Sequence, residues 1–205
     1  MGANHVHTLF SLLKGLYMPN YVVIDVETGG IDPQKHSILE IAGVLWTPGS
    51  GTKEIFSTYI KENQIMAVDE ALKINKIDLD TVLCDGRTPE DTIVYIKQRL
   101  DLFFGKKRTP CVLVAHNAHF DYGFTKRLYE LANEDIKKDF SRRTLDTAGI
   151  LQWLMITNKL PLHHPTSDFL FEQTNVYVPD NLRHTALGDA KATADALEVL
   201  YRKNR

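Results

Sequence analysis

The sequence predicts an α/β fold in which a central mixed β-sheet is flanked by α-helices. Apolar runs of strand length, bounded by Gly, Pro and Ser, occupy much of residues 21–60 and recur at 111–115. Segments with apolar residues at helical spacing fill much of the remaining chain. The order of three strands, a helix, a strand, a helix, a weaker strand signal and two further helices fits a mixed sheet covered by helices.

Three strands are predicted in the first third of the chain. Residues 21–26 are apolar on both faces of the pleat until Asp25, which is typical of a strand covered on both sides. Residues 38–46 and 54–60 are rich in β-branched and aromatic side chains, and the segment 47–51 between them contains a Pro-Gly turn signal. Because the three strands are close in sequence, we expect an antiparallel meander.

The helices are predicted from caps and apolar stripes. Thr88 is the expected N-cap of a helix with Pro89 at its first position. Asn117 is the expected N-cap of the helix that follows the buried strand at 111–115, and Phe120 lies on the apolar stripe of this helix. Further helical segments are expected at residues 66–74, 146–156, 167–173 and 185–201.

Composition restricts the class of protein. The chain has 205 residues, 43% of them hydrophobic, and a formal net charge of −2, as expected for one ordinary globular domain. This charge argues against tight electrostatic binding of nucleic acid, although bound divalent cations can neutralise phosphate locally. The two cysteines lack a metal-binding spacing, so we expect neither a disulfide framework nor a zinc site, and a cytoplasmic location.

We divide the chain into an N-terminal extension, residues 1–17, and one domain, residues 18–205. The apolar run at 9–13 is too short to cross a bilayer. A basic start and a cleavage site of small residues, which mark a signal peptide, are missing. We therefore expect no association with a membrane.

Four acids and one histidine lie in three short islands of sequence. Asp25 and Glu27 are two residues apart on a strand, so both side chains leave one face, and a cation between them would relieve their repulsion. Asp121 follows a buried strand, at the sheet edge where α/β proteins place ligands. Asp189 lies on an apolar helical face and requires a cation or a buried basic residue as its partner. His184 lies on the loop that enters the same helix.

Each of these residues also has a structural explanation when it is considered alone. The paired acids can begin a polar loop, and an acid in the first turn of a helix interacts favourably with the helix dipole. His163 and His164 lie near Asp168, but prolines flank them, so we favour a loop over a metal site. Asp146 is expected to cap a helix rather than to bind a ligand.

The three islands, in this order, resemble the motifs of the DEDD superfamily of 3′–5′ exonucleases in its histidine-containing branch. Its Asp-x-Glu-Thr-Gly, Asn-x-x-Phe-Asp and His-x-x-x-x-Asp motifs are matched by residues 25–29, 117–121 and 184–189. The other main branch has a tyrosine four residues before the last acid, where this chain has Thr185. The resemblance covers about residues 20–203 and implies a ribonuclease-H-like fold with an exonuclease domain at 18–205.

The resemblance also implies a two-metal mechanism. Two Mg²⁺ or Mn²⁺ ions are expected on carboxylates that are also catalytic: Asp25, Glu27, Asp121 and Asp189. His184 is implied as the general base that activates water, since imidazole titrates near neutral pH. The expected contacts of the terminal nucleotide are Thr28, Gly29, Asn117 and Phe120. For Phe120, a position in the core is an equally good explanation.

The substrate is less narrowly defined than the reaction. We expect hydrolysis at the 3′ ends of single-stranded nucleic acid, with DNA slightly preferred, in DNA replication or repair. The alternative is an RNA-trimming exoribonuclease of the ribonuclease T or oligoribonuclease type. The motifs are similar to those of the proofreading subunit of bacterial DNA polymerase III and of ribonuclease T. A polymerase is therefore one candidate partner, but the long C-terminal tether by which the proofreading subunit binds its polymerase is missing.

Two readings from other classes remain as alternatives. The first is a nucleic-acid-binding module that has kept the fold but lost the catalytic activity. The second is a structural protein that binds metal. Modules of the first kind usually lose at least one ligand, whereas all five catalytic positions are filled in this chain.

Overall fold

The sheet is mixed and five-stranded in the computed structural model, which describes residues 19–204. The extension predicted at 1–17 lies outside the described residues. The strands are β1 (Tyr21–Thr28), β2 (Ile38–Thr47), β3 (Gly51–Tyr59), β4 (Cys111–Ala115) and β5 (Phe140–Asp146). They are arranged in the order β3-β2-β1-β4-β5. The first three strands form the predicted antiparallel meander, and β4 is parallel to both β1 and β5.

Helices cover the sheet. They are α1 (Asp69–Asn75), α2 (Leu79–Asp85), α3 (Pro89–Phe104), α4 (Ala118–Leu131), α5 (Thr147–Ile156), α6 (Ser167–Thr174) and α7 (Ala186–Lys203). The short helix α2 was not predicted, and β5 gave only a weak signal. The middle of β5 is exposed and charged, as is common in strands at the edge of a sheet. Among the described residues, no helix is long and apolar enough to cross a membrane.

Strand β1 is buried on both faces, as its sequence predicts. Val22, Ile24 and Val26 belong to a core cluster that also contains apolar residues of α3 and α4. Val23 points to the opposite face and belongs to a second cluster, which contains residues of α7. Because side chains alternate along a strand, Asp25 and Glu27 lie on the same face of the sheet as Val23, the face that α7 covers.

Helix α7 is fastened to the sheet near both of its ends. At its N-terminus, the backbone N–H of Ala186 donates to Glu40 Oε2 at 3.1 Å. Three turns further along, Glu198 Oε2 accepts from Trp46 Nε1 at 2.9 Å and from the N–H of Gly49 at 3.0 Å. Hydrogen bonds to charged groups contribute about 1.5–3 kcal/mol each. These contacts fix the position of the first turn of α7 relative to β1 and β2.

The expected N-cap at Asn117 is wrong in one respect. Asn117 occupies the N-cap position of α4, but its backbone is left-handed, with φ of 69°, and its side chain makes no cap hydrogen bond. The Asp146 carboxylate replaces it, accepting from the N–H groups of Asn117 at 3.0 Å and Ala118 at 3.2 Å. Asp146 also caps its own helix by accepting from Ala148 at 2.9 Å, which confirms its predicted role. The predicted cap at Thr88 is confirmed as well, and Thr185 caps α7.

Candidate active site

Two carboxylates stand where β1 extends beyond its neighbour. Strand β4 pairs with β1 only from Tyr21 to Val23, so Asp25 and Glu27 lie past the end of this pairing. Asp189, in the first turn of α7, approaches the same face of β1. One carboxylate oxygen from each of the three residues lies within 4.8 Å of the others. The structure thus brings together three of the four predicted metal ligands near the C-terminal end of β1, the central strand.

The fourth predicted ligand, Asp121, reaches the same end of β1 from α4. Its side chain is buried, and its Oδ1 accepts a hydrogen bond from the backbone N–H of Val26 at 3.2 Å. Val26 lies between Asp25 and Glu27, and β4 makes no pair with it. The carboxylate of Asp121 therefore takes the place of the missing strand and is held beside the other two acids.

Burial and mutual repulsion raise the pKa values of these carboxyl groups. Desolvation raises the pKa of Asp25 well above its usual range, and the charges of Asp121, Glu27 and Asp189 add to this effect. Desolvation, followed by the charges of Asp189 and Glu40, raises the pKa of Glu27 to about 8. Desolvation likewise raises the pKa of Asp121 to about 8, although the hydrogen bonds that its carboxylate accepts oppose the shift. As anions, these acids require a neutralising cation nearby.

Asp189 has a basic partner in the structure. The guanidinium of Arg183 donates a hydrogen bond to Asp189 Oδ2, and the backbone N–H of His184 donates to the same oxygen at 3.3 Å. The other oxygen, Oδ1, is buried and has no hydrogen-bond partner among residues 19–204. Desolvation raises the pKa of Asp189, whereas the Arg183 charge lowers it. The sequence left two possible partners for Asp189, a basic residue or a cation. The structure places a basic residue, Arg183, at Oδ2, and Oδ1 remains available for a cation.

The donor set fits a hard divalent cation. All of the candidate ligand atoms are carboxylate oxygens, the atoms that Mg²⁺ and Mn²⁺ prefer. Carboxylate oxygens of Asp25, Glu27 and Asp189 lie within 4.8 Å of one another, and Asp189 Oδ1 has no hydrogen-bond partner among the described residues. A cation between these oxygens would satisfy the free atom and offset the repulsion between the acids.

His184 lies on a tightly defined loop before α7. Its backbone is left-handed, with φ of 62°, and its side chain is half-buried. The next residue, Thr185, caps α7 by accepting from the N–H of Gly188 at 3.1 Å and donates to the carbonyl of Leu182 at 2.8 Å. Gly188 is required here, because a Cβ at this position would lie 2.0 Å from the Leu182 carbonyl oxygen. The loop therefore holds His184 directly beside Asp189.

A fifth carboxylate near this site, that of Glu40, is buried and was not assigned a role from sequence. It lies on β2 directly opposite Glu27 in the strand register. Desolvation raises its pKa, and the hydrogen bond from Ala186 opposes this effect. The sequence signal was a single acid within the apolar run 38–42. Glu40 connects the sheet to the first residue of α7 and thereby positions the helix that carries Asp189.

The predicted substrate contacts differ in their exposure to solvent. Thr28 is buried, and its Oγ1 donates to the Gly30 carbonyl at 2.7 Å. Gly29 is packed against the chain itself, since a Cβ there would lie 2.3 Å from the Met66 carbonyl oxygen. Asn117 is exposed, and Phe120 is partly buried against the core. These four residues stay predictions as substrate contacts.

The residues of the other candidate metal site, His163, His164 and Asp168, make contacts of a different kind. The His163 ring stacks on Phe169, with ring centroids 4.4 Å apart and an interplanar angle of 12°. Asp168 forms an ion pair with Arg183 at 2.9 Å. Within residues 19–204, the one group of three His, Cys, Asp or Glu side chains with suitably close ligand atoms is Asp25, Glu27 and Asp189.

The fold and this acidic site define a nuclease of the exonuclease class. The model of the RNase T family, described as exonuclease, matches residues 22–197, and the chain belongs to this family. Its predicted membership of the DEDD superfamily and its predicted class of enzyme are thereby confirmed.

The relatives include replication proteins and a ribonuclease. DNA polymerase III PolC-type of Clostridium perfringens is 29% identical over 184 residues, which are 89% of this chain and 11% of that protein. A DNA polymerase III subunit epsilon-like protein of Rhodobacter capsulatus is 32% identical over 86% of this chain and 23% of its own length. Ribonuclease T of Wigglesworthia glossinidia brevipalpis is 29% identical over 90% of this chain and 86% of its length. The chain thus spans under a quarter of the first two relatives.

Solved structures of exonuclease I share the fold. Escherichia coli exonuclease I in complex with a dT13 oligonucleotide is similar with a TM-score of 0.71 at 15% identity, over 89% of this chain and 41% of that chain. Exonuclease I of Methylocaldum szegediense has the same TM-score at 17% identity. The similarity confirms the predicted ribonuclease-H-like fold.

Proposed function

We propose that this chain is a divalent-metal-dependent 3′–5′ exonuclease that acts on 3′ ends of single-stranded nucleic acid and releases nucleoside 5′-monophosphates. The observation that carries the proposal is the convergence of ligand atoms from Asp25, Glu27 and Asp189 within 4.8 Å of one another. Asp121 is buried beside them, and the chain belongs to an exonuclease family.

The proposed roles follow from this arrangement. Asp25, Glu27, Asp121 and Asp189 would hold two Mg²⁺ or Mn²⁺ ions, which would stabilise negative charge on the attacking water oxygen and on the leaving oxygen of the phosphodiester. His184 takes a proton from the attacking water at a ring nitrogen. The water oxygen bonds to phosphorus, and the bond between phosphorus and the 3′ oxygen of the penultimate nucleotide breaks. That oxygen takes up a proton from solvent, and the phosphate stays on the 5′ side of the released nucleotide.

The terminal nucleotide is proposed to contact Thr28, Gly29, Asn117 and Phe120. Support for a stacking role of Phe120 is its partial exposure on the first turn of α4, one residue from Asp121. Its ring packs on Phe124, with centroids 4.9 Å apart and an interplanar angle of 51°, so a buried core residue supports the ring. A ring held in this way is suited to stacking against a base.

A slight preference for DNA, and a role in replication or repair in the cytoplasm, are part of the proposal. Supporting it are the relatives that are named for DNA polymerase III and the 32% identity over 51% of this chain to the 3′-5′ DNA exonuclease Cap18 of Escherichia coli. A polymerase partner is likewise proposed by analogy with the subunit epsilon of Buchnera aphidicola, which is 26% identical over 84% of this chain.

RNA trimming is the second candidate function. One observation favours it: ribonuclease T of Wigglesworthia glossinidia brevipalpis is 29% identical over 90% of this chain. The two candidates share the same site and reaction and differ only in the preferred sugar.

One assay tests both candidates. Single-stranded DNA, single-stranded RNA and a mismatched duplex, each labelled at the 5′ end, are incubated with the protein during a titration of Mg²⁺ or Mn²⁺. We expect ladders that shorten from the 3′ end, fastest for single-stranded DNA, and none with Asp25→Asn, which keeps the shape of the side chain. Faster digestion of RNA would support the second candidate. Intact 3′ ends at every metal concentration would refute the proposal.

A further inference from the structure

Arg183 is the hub of a polar cluster beside the acidic site. Its guanidinium donates to Asp189 Oδ2, to Asp168 Oδ1 at 2.9 Å and to Ser167 Oγ at 3.0 Å. It also lies 5.5 Å from the centre of the Phe171 ring. Three of these four partners belong to α6, so Arg183 ties the His184 loop and the first turn of α7 to a neighbouring helix.

The two oxygens of Asp189 are in different environments. Oδ2 accepts hydrogen bonds from Arg183 and from the backbone N–H of His184, whereas the buried Oδ1 has no hydrogen-bond partner in the part of the chain that the structure describes. A carboxylate that is held through one oxygen by two donors cannot rotate freely about its last bond. The free oxygen is therefore kept in a fixed direction, in the group that also contains Asp25 and Glu27.

We propose that Arg183 is a positioning residue, which holds Asp189 through Oδ2 so that Oδ1 is presented to the metal, and which is itself held by Asp168 and Ser167. The inference rests on the proposed metal site. Partners of this kind orient metal ligands in many proteins, and their loss typically lowers metal affinity by about 10- to 100-fold. Arg183 touches neither substrate nor reacting atoms in this account and acts only through Asp189.

Charge alone predicts the opposite result. Removing a positive charge from beside a cluster of acids strengthens the attraction of that cluster for a cation. The sign of the change in metal affinity therefore separates orientation of Asp189 from simple repulsion between Arg183 and the metal. A general loss of structure is separated from both by the melting temperature in EDTA.

The experiment is a calorimetric titration of Mn²⁺ into the full chain, prepared without metal. We expect Arg183→Gln to bind Mn²⁺ about tenfold or more weakly than wild type. Ser167→Ala removes one support of the guanidinium without a change of charge and is expected to weaken binding severalfold. Arg202→Gln is the matched control: it breaks another ion pair on α7, with Glu198, about 20 Å along the helix from Asp189, and should leave the affinity unchanged.

Each outcome decides the inference. Equal or tighter binding of Mn²⁺ by Arg183→Gln would overturn it, and so would unchanged binding by Ser167→Ala if Arg183→Gln fails to fold. Arg183→Lys keeps the charge but cannot bridge Asp189, Asp168 and Ser167 in the same plane, so it should rescue binding only in part. If wild type itself binds no Mn²⁺, the proposed metal site fails and this inference fails with it. If wild type binds but the variants match it, only the role of Arg183 is refuted.

Discussion

The carboxylate of Asp121 accepts a hydrogen bond from the backbone N–H of Val26 at 3.2 Å, although the two residues are 95 positions apart. This contact inserts a side chain where β4 no longer pairs with β1. It holds the carboxyl group of Asp121 beside Asp25 and Glu27, where burial raises its pKa to about 8 although the hydrogen bond from Val26 opposes the shift. The same contact therefore gives the backbone N–H of Val26 a hydrogen-bond partner and holds the carboxyl group of Asp121 beside the other proposed metal ligands.

Asp121→Asn should separate stability from activity. The amide oxygen can still accept from Val26, while the repulsion with the neighbouring acids is removed. At pH 8 without metal, we expect the free energy of unfolding to rise by at least about 1 kcal/mol, the equivalent of roughly one pKa unit. Exonuclease activity should be lost. Urea unfolding in EDTA measures the first effect, and a less stable variant would contradict it.

The stability of the metal-free protein should fall as the pH rises. Carboxyl groups in the unfolded chain titrate near pH 4, whereas Glu27 and Asp121 have pKa values of about 8 in the folded protein. The folded state thus binds more protons between these values, so the free energy of unfolding decreases across this window and levels off above it. We expect a lower melting temperature in EDTA at pH 8 than at pH 6.

Saturating Mn²⁺ provides the control for this pH dependence. Cations on the carboxylates replace the protons, so most of the decline in melting temperature between pH 6 and pH 8 should disappear. Calorimetric scans with and without the metal make the comparison. A melting temperature in EDTA that increases with pH would show that these acids are ionised in the folded state.

His184→Ala should slow hydrolysis and leave metal binding intact. Loss of a general base typically lowers the rate by about 10²- to 10⁴-fold. Because the contact of His184 with Asp189 uses its backbone N–H, the substitution leaves that hydrogen bond in place. We expect single-turnover rates to fall within this range while Mn²⁺ affinity remains near that of wild type. His164→Ala, on an exposed loop, is the control, and equal rates for both variants would exclude a catalytic role for His184.

Gly188→Ala and Gly149→Ala should have opposite effects. A Cβ at Gly188 would lie 2.0 Å from the Leu182 carbonyl oxygen, which forces the His184 loop to move, whereas nothing lies within 4 Å of a Cβ at Gly149 in α5. Thermal unfolding should show Gly188→Ala to be less stable by about 1–3 kcal/mol. Gly149→Ala should gain up to about 1 kcal/mol from helix propensity. Only the former should lose activity, and a neutral Gly188→Ala would contradict the loop geometry.

Local patterns in the sequence predicted much of the fold. The apolar run of β1, the cap and proline that begin α3 and the turn between β2 and β3 are encoded within a few residues, and the structure agrees with each. The acids of β1 could be placed on one face from strand periodicity alone. Their proximity to Asp189 followed only from treating the islands as a set that resembles a known family.

Contacts between distant residues could not be predicted. Glu40 and Ala186 are 146 residues apart, and Asp146 reaches back 29 residues to replace the expected cap at Asn117. Arg183 precedes His184 in the sequence and carries no local signal that it pairs with Asp189. In each case the partner is chosen by how the helices pack on the sheet, and spacing along the chain does not report that packing.

The attachment of α7 to β2 has a consequence for the order of folding. The hydrogen bonds at its two ends join residues separated by 146 to 152 positions, and contacts of such separation form late because long loops must close first. Asp189 lies on this helix and His184 on the loop directly before it, so both reach the site only when the helix docks. The sheet and the acids of β1 and α4 can assemble before it docks, but an intermediate without docked α7 lacks one proposed metal ligand and the proposed base. We therefore expect the proposed hydrolytic activity to arise only in the last stage of folding, so that a partly folded chain is inactive toward nucleic acid.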